Sequence, residues 1–233
     1  MKTFNYSPIA VIDSGIGGLS LLKLVVNKYP NENYIYLADN EYMPYGNKST
    51  KVIKSRLLEL INYLYDTFNV KLVILACNTA SASLMKNLDN LPVKVMVLNF
   101  ESVVGDRDYK ILCTKLCAKH YPNLNVYPCN KLASDIEDNF FDRSTLRKKI
   151  ARILKKADIK ENNIILGCTH YELVQDEFKK LYPNKNFILP CKEFVNNLEL
   201  SKPNQSTLKG DILMISTLAT KSYSDKLWKI FKK

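Results

Sequence analysis

Val73-Ile74-Leu75-Ala76-Cys77-Asn78-Thr79 and Ile164-Ile165-Leu166-Gly167-Cys168-Thr169-His170 are two versions of one phrase. Each runs from an apolar, β-branched stretch through a small residue to a cysteine, with a threonine within two positions and a helix-like stretch after it. Continuous apolar runs of this length read as strands buried on both faces. The two cysteines lie 91 residues apart. The simplest reading is two similar α/β halves, each presenting a thiol at the C-terminal end of a strand. In open α/β sheets that is where ligands bind.

Working outward, residues 8–12 form another apolar run, followed by Asp13-Ser14-Gly15-Ile16-Gly17-Gly18 and an amphipathic stretch over 19–29. This reads as strand, Gly-rich loop and helix. The glycines do not have the Gly-x-Gly-x-x-Gly spacing, so a dinucleotide-binding loop is excluded. Further strands are expected at 33–37, 70–75, 93–98, 109–113, 125–127, 163–166 and 187–189, with a weaker one at 210–215. A helix over 50–68 carries apolar residues at Val52, Ile53, Leu57, Leu60, Ile61 and Leu64, a 3.6-residue period. Other helices are expected over 80–88, from 117, and over 146–157, 172–181, 194–200 and 223–231. Strands alternating with helices predict an α/β fold with mainly parallel sheets.

The 233 residues suffice for one large domain or two small ones. Hydrophobic residues make up 46% and charged residues 24%, which excludes a disordered chain. No apolar run approaches the roughly 20 residues of a membrane span. The first six residues contain no apolar stretch of the kind that marks an export signal, so the expected compartment is the cytoplasm. The formal charge is +11, but the lysines are scattered and asparagine is also abundant. That pattern fits a compositional bias better than a nucleic-acid surface. In a cytoplasmic chain the six cysteines should be thiols and not a disulfide framework.

A cysteine immediately before a helix sits where the helix N-terminus favours the thiolate. Two such cysteines in matching junctions suit one kind of chemistry. Inverting a tetrahedral carbon by proton exchange needs a base on one face and an acid on the other, and two equivalent groups can exchange those roles. The residues therefore point to a cofactor-free epimerase or racemase.

At this point the chain resembles the glutamate racemases of the aspartate/glutamate racemase family. The motifs are Ile12-Asp13-Ser14-Gly15-Ile16-Gly17-Gly18-Leu19, Asp39 with Pro44-Tyr45-Gly46, Ala76-Cys77-Asn78-Thr79-Ala80-Ser81 and Leu166-Gly167-Cys168-Thr169-His170-Tyr171, in family order. The resemblance implies two α/β/α domains with the active site in the cleft between them. The first would comprise residues 1–97 plus about 201–233, the second 98–200. It implies neither pyridoxal phosphate nor metal, glutamate as substrate, a homodimer, and a supply of D-glutamate for peptidoglycan. Cys77 and Cys168 would be the acid/base thiols, Cys77 acting on the D and Cys168 on the L enantiomer. Asp13 and His170 would assist them, with Glu137 as a further acidic residue. Ser14, Tyr45, Gly46, Asn78, Thr79, Thr114 and Thr169, together with Asp13 and His170, would bind substrate. One departure lies at Cys117, where the family commonly has a threonine whose hydroxyl is expected near the substrate carboxylate.

Other readings compete. A related racemase acting on aspartate, or on several amino acids, would carry the same motifs. Cys113, Cys117, His120 and Cys129 could supply four zinc ligands in a regulatory protein, although their spacing matches no standard module. A degenerate binding protein without activity would not need both thiols.

Overall fold

In the computed structural model, the described residues are 6–85, 88, 90–98, 101–105, 108–200, 204 and 207–233, the side chains of 101 and 102 excepted. The first five residues, positions 86 and 87 of the expected helix, and the expected domain boundary at 201 lie outside them. In chain order the elements are β1 (Ile9–Asp13), α1 (Leu19–Lys28), β2 (Tyr34–Ala38), α2 (Thr50–Phe68), β3 (Leu72–Leu75), α3 (Asn78–Leu84), β4 (Val95–Val97) and α4 (Glu101–Val104). Then come β5 (Tyr109–Cys113), α5 (Lys115–His120), β6 (Val126–Pro128), α6 (Leu132–Asn139), α7 (Arg143–Ala157), β7 (Asn163–Gly167), α8 (Thr169–Leu173) and α9 (Gln175–Leu181). The chain closes with β8 (Asn186–Ile188), α10 (Pro190–Asn196), β9 (Ile212–Ser216) and α11 (Lys221–Phe231).

The strands form two parallel sheets. The first has five strands in the order β4-β3-β1-β2-β9, the second four in the order β6-β5-β7-β8. Every residue of β1, β2 and β3 is buried, so both faces of the first sheet are covered and these strands read as unbroken apolar runs. Ile9, Val11, Tyr34, Tyr36, Leu72 and Ile74 face a core built with α1 and α11. Ala10, Ile12, Ile35, Leu37, Val73 and Leu75 face one built with α2 and α3. The first core continues without a break into Leu112, Ile164 and Leu166 of the second sheet and its helices α6 to α10. Helix α1 is the seam, packing on α8 and α10 from the second sheet and on α11.

The helices expected from 117 and over 146–157 and 223–231 begin two or three residues earlier, at Lys115, Arg143 and Lys221, and three other expected helices differ as follows. The 172–181 stretch breaks at Val174, which leaves helical geometry (φ −121°, ψ 25°) to bury its side chain, giving α8 and α9. The helix placed at 194–200 spans Pro190–Asn196, because proline suits a first turn where its missing N–H costs nothing. The helix placed at 80–88 begins at Asn78, directly after Cys77. Helix α6 was not anticipated. Its buried face holds only Leu132, Ile136 and Glu137, too few apolar positions to stand out.

Candidate active site

Counted by appearance in the chain, the first four strands of each sheet lie in the same order: second, first, third, fourth. In such a sheet the chain winds away in opposite directions after the first and third strands, and a crevice opens between their C-terminal ends. The crevice of the first sheet receives Asp13-Ser14 after β1 and Cys77-Asn78-Thr79 after β3. That of the second receives Thr114 after β5 and Cys168-Thr169-His170 after β7. Both empty into one narrow cleft lined by Ser14, Tyr45, Gly46, Cys77, Thr79, Thr114, Cys168 and His170.

The two thiols occupy equivalent places. Cys77 is the residue before α3 and Cys168 the residue before α8, and each is 6% exposed. Ser14 Oγ lies 3.9 Å from Cys77 Sγ, and His170 Nδ1 lies 4.0 Å from Cys168 Sγ. The halves are joined across the cleft by side chains. Thr169 Oγ1 donates to Asp13 Oδ2 at 2.9 Å, and Thr79 and Thr114 share a hydrogen bond of 2.8 Å. Ile16 N–H donates to Glu137 Oε2 at 3.0 Å, and His170 Nε2 lies 2.9 Å from the same oxygen. The Gly-rich loop permits this approach: a Cβ on Gly17 would overlap the His170 ring and the Thr169 hydroxyl, and one on Gly15 would overlap Glu137.

Burial sets the electrostatics. It pushes the Cys77 thiol up to about 12, with the Asp13 charge adding to it and the Ala80 N–H and Ser14 hydroxyl only partly offsetting it. Burial and then Cys77 hold Cys168 well above the ordinary thiol range. The helix starts therefore do not produce resting thiolates, as expected from position alone. Helices of seven and five residues are weak dipoles, and dehydration outweighs them. Asp13 is also raised by burial, against the pull of His170 and the Gly15 N–H. Burial works against the Glu137 carboxylate too, but the hydrogen bond and charge of His170, with Lys226 and the Ile16 N–H, outweigh it and hold Glu137 at about 2. His170 is raised in turn: burial opposes its charge, and Glu137 overcomes that.

The remaining expected residues stand just behind the cleft wall. Asp13 accepts hydrogen bonds from the Gly15 N–H and Thr169 Oγ1, which tie the loop after β1 to the start of α8. Glu137 lies beneath His170 and does not line the cleft. The Asn78 amide is buried, and neither its oxygen nor its nitrogen has a hydrogen-bond partner. An orphaned amide at this depth is costly unless a ligand satisfies it. Cys117 is fully buried in an apolar cluster with Cys113, Ala82 and Val103, and is absent from the cleft lining. Its thiol therefore packs, and Thr114 supplies the hydroxyl at the cleft. Among the described residues no three His, Cys, Asp or Glu side chains gather as a metal site, so Cys113, Cys117, His120 and Cys129 do not converge.

Sequence reasoning missed Tyr223 and Lys226 on α11, both bonded to Glu137, and Arg56, which pairs with Asp39 behind Tyr45. The i, i+3 spacing of Tyr223 and Lys226 on an amphipathic helix was the available signal.

No family model matches the chain. Among whole proteins, glutamate racemase of Buchnera aphidicola subsp. Schizaphis graminum is 32% identical, the match covering 88% of this chain and 89% of that one. Glutamate racemase 3 of Caldanaerobacter subterraneus subsp. tengcongensis is 28% identical over 94% of this chain and 88% of its own. Among solved structures, glutamate racemase RacE1 of Bacillus anthracis superposes with a TM-score of 0.85 at 23% identity, covering 98% of this chain and 95% of that one. Glutamate racemase of Francisella tularensis subsp. tularensis, crystallised with D-glutamate, gives 0.80 at 25% identity, covering 97% and 94%. The two-sheet α/β fold with its shared cleft is thus that of an isomerase of the amino-acid racemase class. Within that class, the chain belongs to the glutamate racemase family.

Proposed function

We propose that the chain interconverts L- and D-glutamate by two-thiol acid/base catalysis, with Cys77 and Cys168 on opposite faces of the substrate Cα. The observation that carries this is their equivalence: two buried thiols, each at a strand-to-helix junction of its own sheet, opening into one cleft. Burial keeps both thiols protonated at rest. An amino acid brings in an ammonium group, whose positive charge favours thiolate formation in its neighbours. Asp13 beside Cys77 and His170 beside Cys168 are suited to take or return the proton that arms each thiol.

With the D enantiomer, the Cys77 thiolate accepts the Cα proton and the Cys168 thiol delivers one to the opposite face. With the L enantiomer the roles reverse. Each turnover leaves the thiol pair with its protonation exchanged. Ser14, Thr79 and Thr114 offer hydroxyls at the cleft, and Asn78 and Thr169 stand behind them, a donor set suited to carboxylates. The reaction so written calls on no further group. Residues 1–97 with 201–233, and 98–200, would act as the two jaws, and D-glutamate for peptidoglycan would be the product in use. Association of two chains as a homodimer in the cytoplasm belongs to the same proposal. No helix among the described residues is long and apolar enough to cross a membrane.

The test is exchange of Cα hydrogen for solvent deuterium, together with turnover, using both enantiomers of glutamate and of aspartate. Cys77→Ser and Cys168→Ser should each lower turnover at least about a hundredfold, because general acid–base catalysis contributes 10²–10⁴. Cys113→Ser and Cys191→Ser should turn over normally. Wild-type turnover by Cys77→Ser would end the two-thiol reading, and faster turnover of aspartate would correct the substrate.

A further inference from the structure

We propose that Tyr223 and Lys226, on the C-terminal helix α11, are positioning residues for Cys168: they fix the Glu137 carboxylate that orients His170, so proton transfer at Cys168 depends on α11 being seated. The proposal rests on the two-thiol reading above and extends it to a helix that never touches the substrate cleft.

The geometry is a relay. Glu137 is almost wholly buried, and its carboxylate is shared between two sets of donors. Oε2 receives the Ile16 N–H at 3.0 Å and lies 2.9 Å from His170 Nε2. Oε1 receives Tyr223 Oη–H at 2.8 Å and Lys226 Nζ at 2.9 Å. Without α11, Oε1 would be left buried without these donors, and the carboxylate could rotate away from His170. Lys226 Nζ also donates to the Glu137 carbonyl at 2.6 Å, fixing the backbone as well as the side chain. The placement of α11 is itself rigid. Leu227 and Ile230 are fully buried, and Lys23 Nζ donates to the Ile230 carbonyl at 3.0 Å. With Nε2 engaged by Glu137, His170 presents Nδ1 to Cys168. Cys77 has Ser14 as its neighbour, so α11 reaches Cys168 directly through Glu137 and His170 and the Cys77 side only at second hand, through the loop whose Ile16 N–H Glu137 also holds.

The charges facing His170 give the relay a measurable sign. Asp13 from the loop after β1 and Glu137 from α6 favour its protonated form, and Lys226 from α11 opposes it. Removing Lys226 takes away that opposing charge but also frees the carboxylate, and because Glu137 outweighs Lys226 at His170 the net effect should lower the pH at which His170 loses its proton. Removing the Tyr223 hydroxyl should loosen the carboxylate without that charge effect.

The experiment compares Lys226→Met, Lys226→Arg and Tyr223→Phe with wild type. Turnover, its pH profile and the isotope effect of Cα-deuterated L- and D-glutamate are measured. Losing one hydrogen bond to a charged group should lower turnover about tenfold in Lys226→Met and Tyr223→Phe, with Lys226→Arg largely restored. Slowing the Cys168 step should raise the isotope effect from deuterated L-glutamate, whose proton Cys168 removes. It should lower the effect from the D enantiomer, whose proton Cys77 removes. In Lys226→Met and Tyr223→Phe the pH limb assigned to His170 should move down, because the Glu137 hydrogen bond that the proposal says is loosened outweighs the Lys226 charge at that ring. Variants that melt earlier but keep the wild-type isotope effects and pH profile would show that α11 is scaffolding only, and so would equal changes from both enantiomers. Cys168→Ser in the same assays separates the two levels of argument. If it is inactive while Lys226→Met and Tyr223→Phe behave as wild type, only the α11 proposal fails. If it is fully active, the thiol reading fails and takes this proposal with it.

Discussion

Replacing Arg56 by leucine should destabilise the protein severely, through a carboxylate it leaves behind. Asp39 is fully buried, directly behind the Tyr45-Gly46 wall of the cleft. Arg56 Nη2 donates to its Oδ1 at 2.8 Å and Nε to its Oδ2 at 3.1 Å, while Tyr45 Oη–H donates to Oδ2 at 2.7 Å. Leucine would leave Asp39 with the tyrosine hydroxyl alone among these. Breaking one partner from a buried ion pair costs about 3–5 kcal/mol. The Arg56 side chain is 17% exposed, so water can reach part of the gap, and the lower end, about 3 kcal/mol, is the better figure. For a chain of this size each kcal/mol shifts the melting temperature by roughly 2–4 °C, so a fall of about 6–12 °C is expected. The assay is thermal unfolding by circular dichroism at neutral pH, with the double variant Asp39→Asn/Arg56→Leu measured alongside. Neutralising residue 39 removes the stranded charge, so the double variant should recover half or more of the loss. A fall of less than about 3 °C in Arg56→Leu, or a double variant no more stable than the single one, would refute the reasoning.

Other consequences can be checked the same way. Gly17→Ala places a methyl group against His170 and Thr169, so it should abolish turnover by pushing the halves apart, visible as loss of the Ile16-to-Glu137 amide protection in hydrogen exchange. Asn78→Ala deletes a buried amide without partners, so the ligand-free protein should gain about 1 kcal/mol or more in stability while the Michaelis constant for glutamate rises. Glu172 is buried, with both carboxylate oxygens near the Cys191 N–H, and burial pushes its pKa up to about 8. Its contribution to stability is complete below about pH 4.5 and is lost as the pH rises through about 8. Glu172→Gln should flatten that decline, and parallel melting curves for the two proteins from pH 5 to pH 9 would contradict it.

The fold was legible because parallel strands buried on both faces write themselves as apolar runs. The repeated phrase around Cys77 and Cys168 located both crevices. Elements were misplaced where tertiary burial overrode local pattern, as at Val174. Helix α6 went unread because it turns a carboxylate, Glu137, inward. The cleft wall was readable for the same reason as the sheets, since six of the eight expected residues that line it, all but Tyr45 and Gly46, follow strand ends. What sequence could not show was dehydration. A cysteine before a helix looks like a thiolate on paper, and only burial reveals that it rests protonated. Nor could spacing join Glu137 to Tyr223 and Lys226, 86 and 89 positions away.

The strand β9 is the last one in the chain, yet it pairs with β2, among the first. During synthesis the second sheet is complete once Ile188 has emerged, whereas in the first the fully buried strand β2 stays the edge until Ser216 has been made and the half-buried β9 takes that place. Until then β2, whose every residue is buried in the folded chain, presents an unpaired backbone edge, a geometry that favours edge-to-edge aggregation. The last 22 residues close that edge and deliver α11 to Glu137 in the same event. A nascent or truncated chain lacking this segment thus leaves the β2 edge uncovered and Glu137 without its Tyr223 and Lys226 donors at the same time.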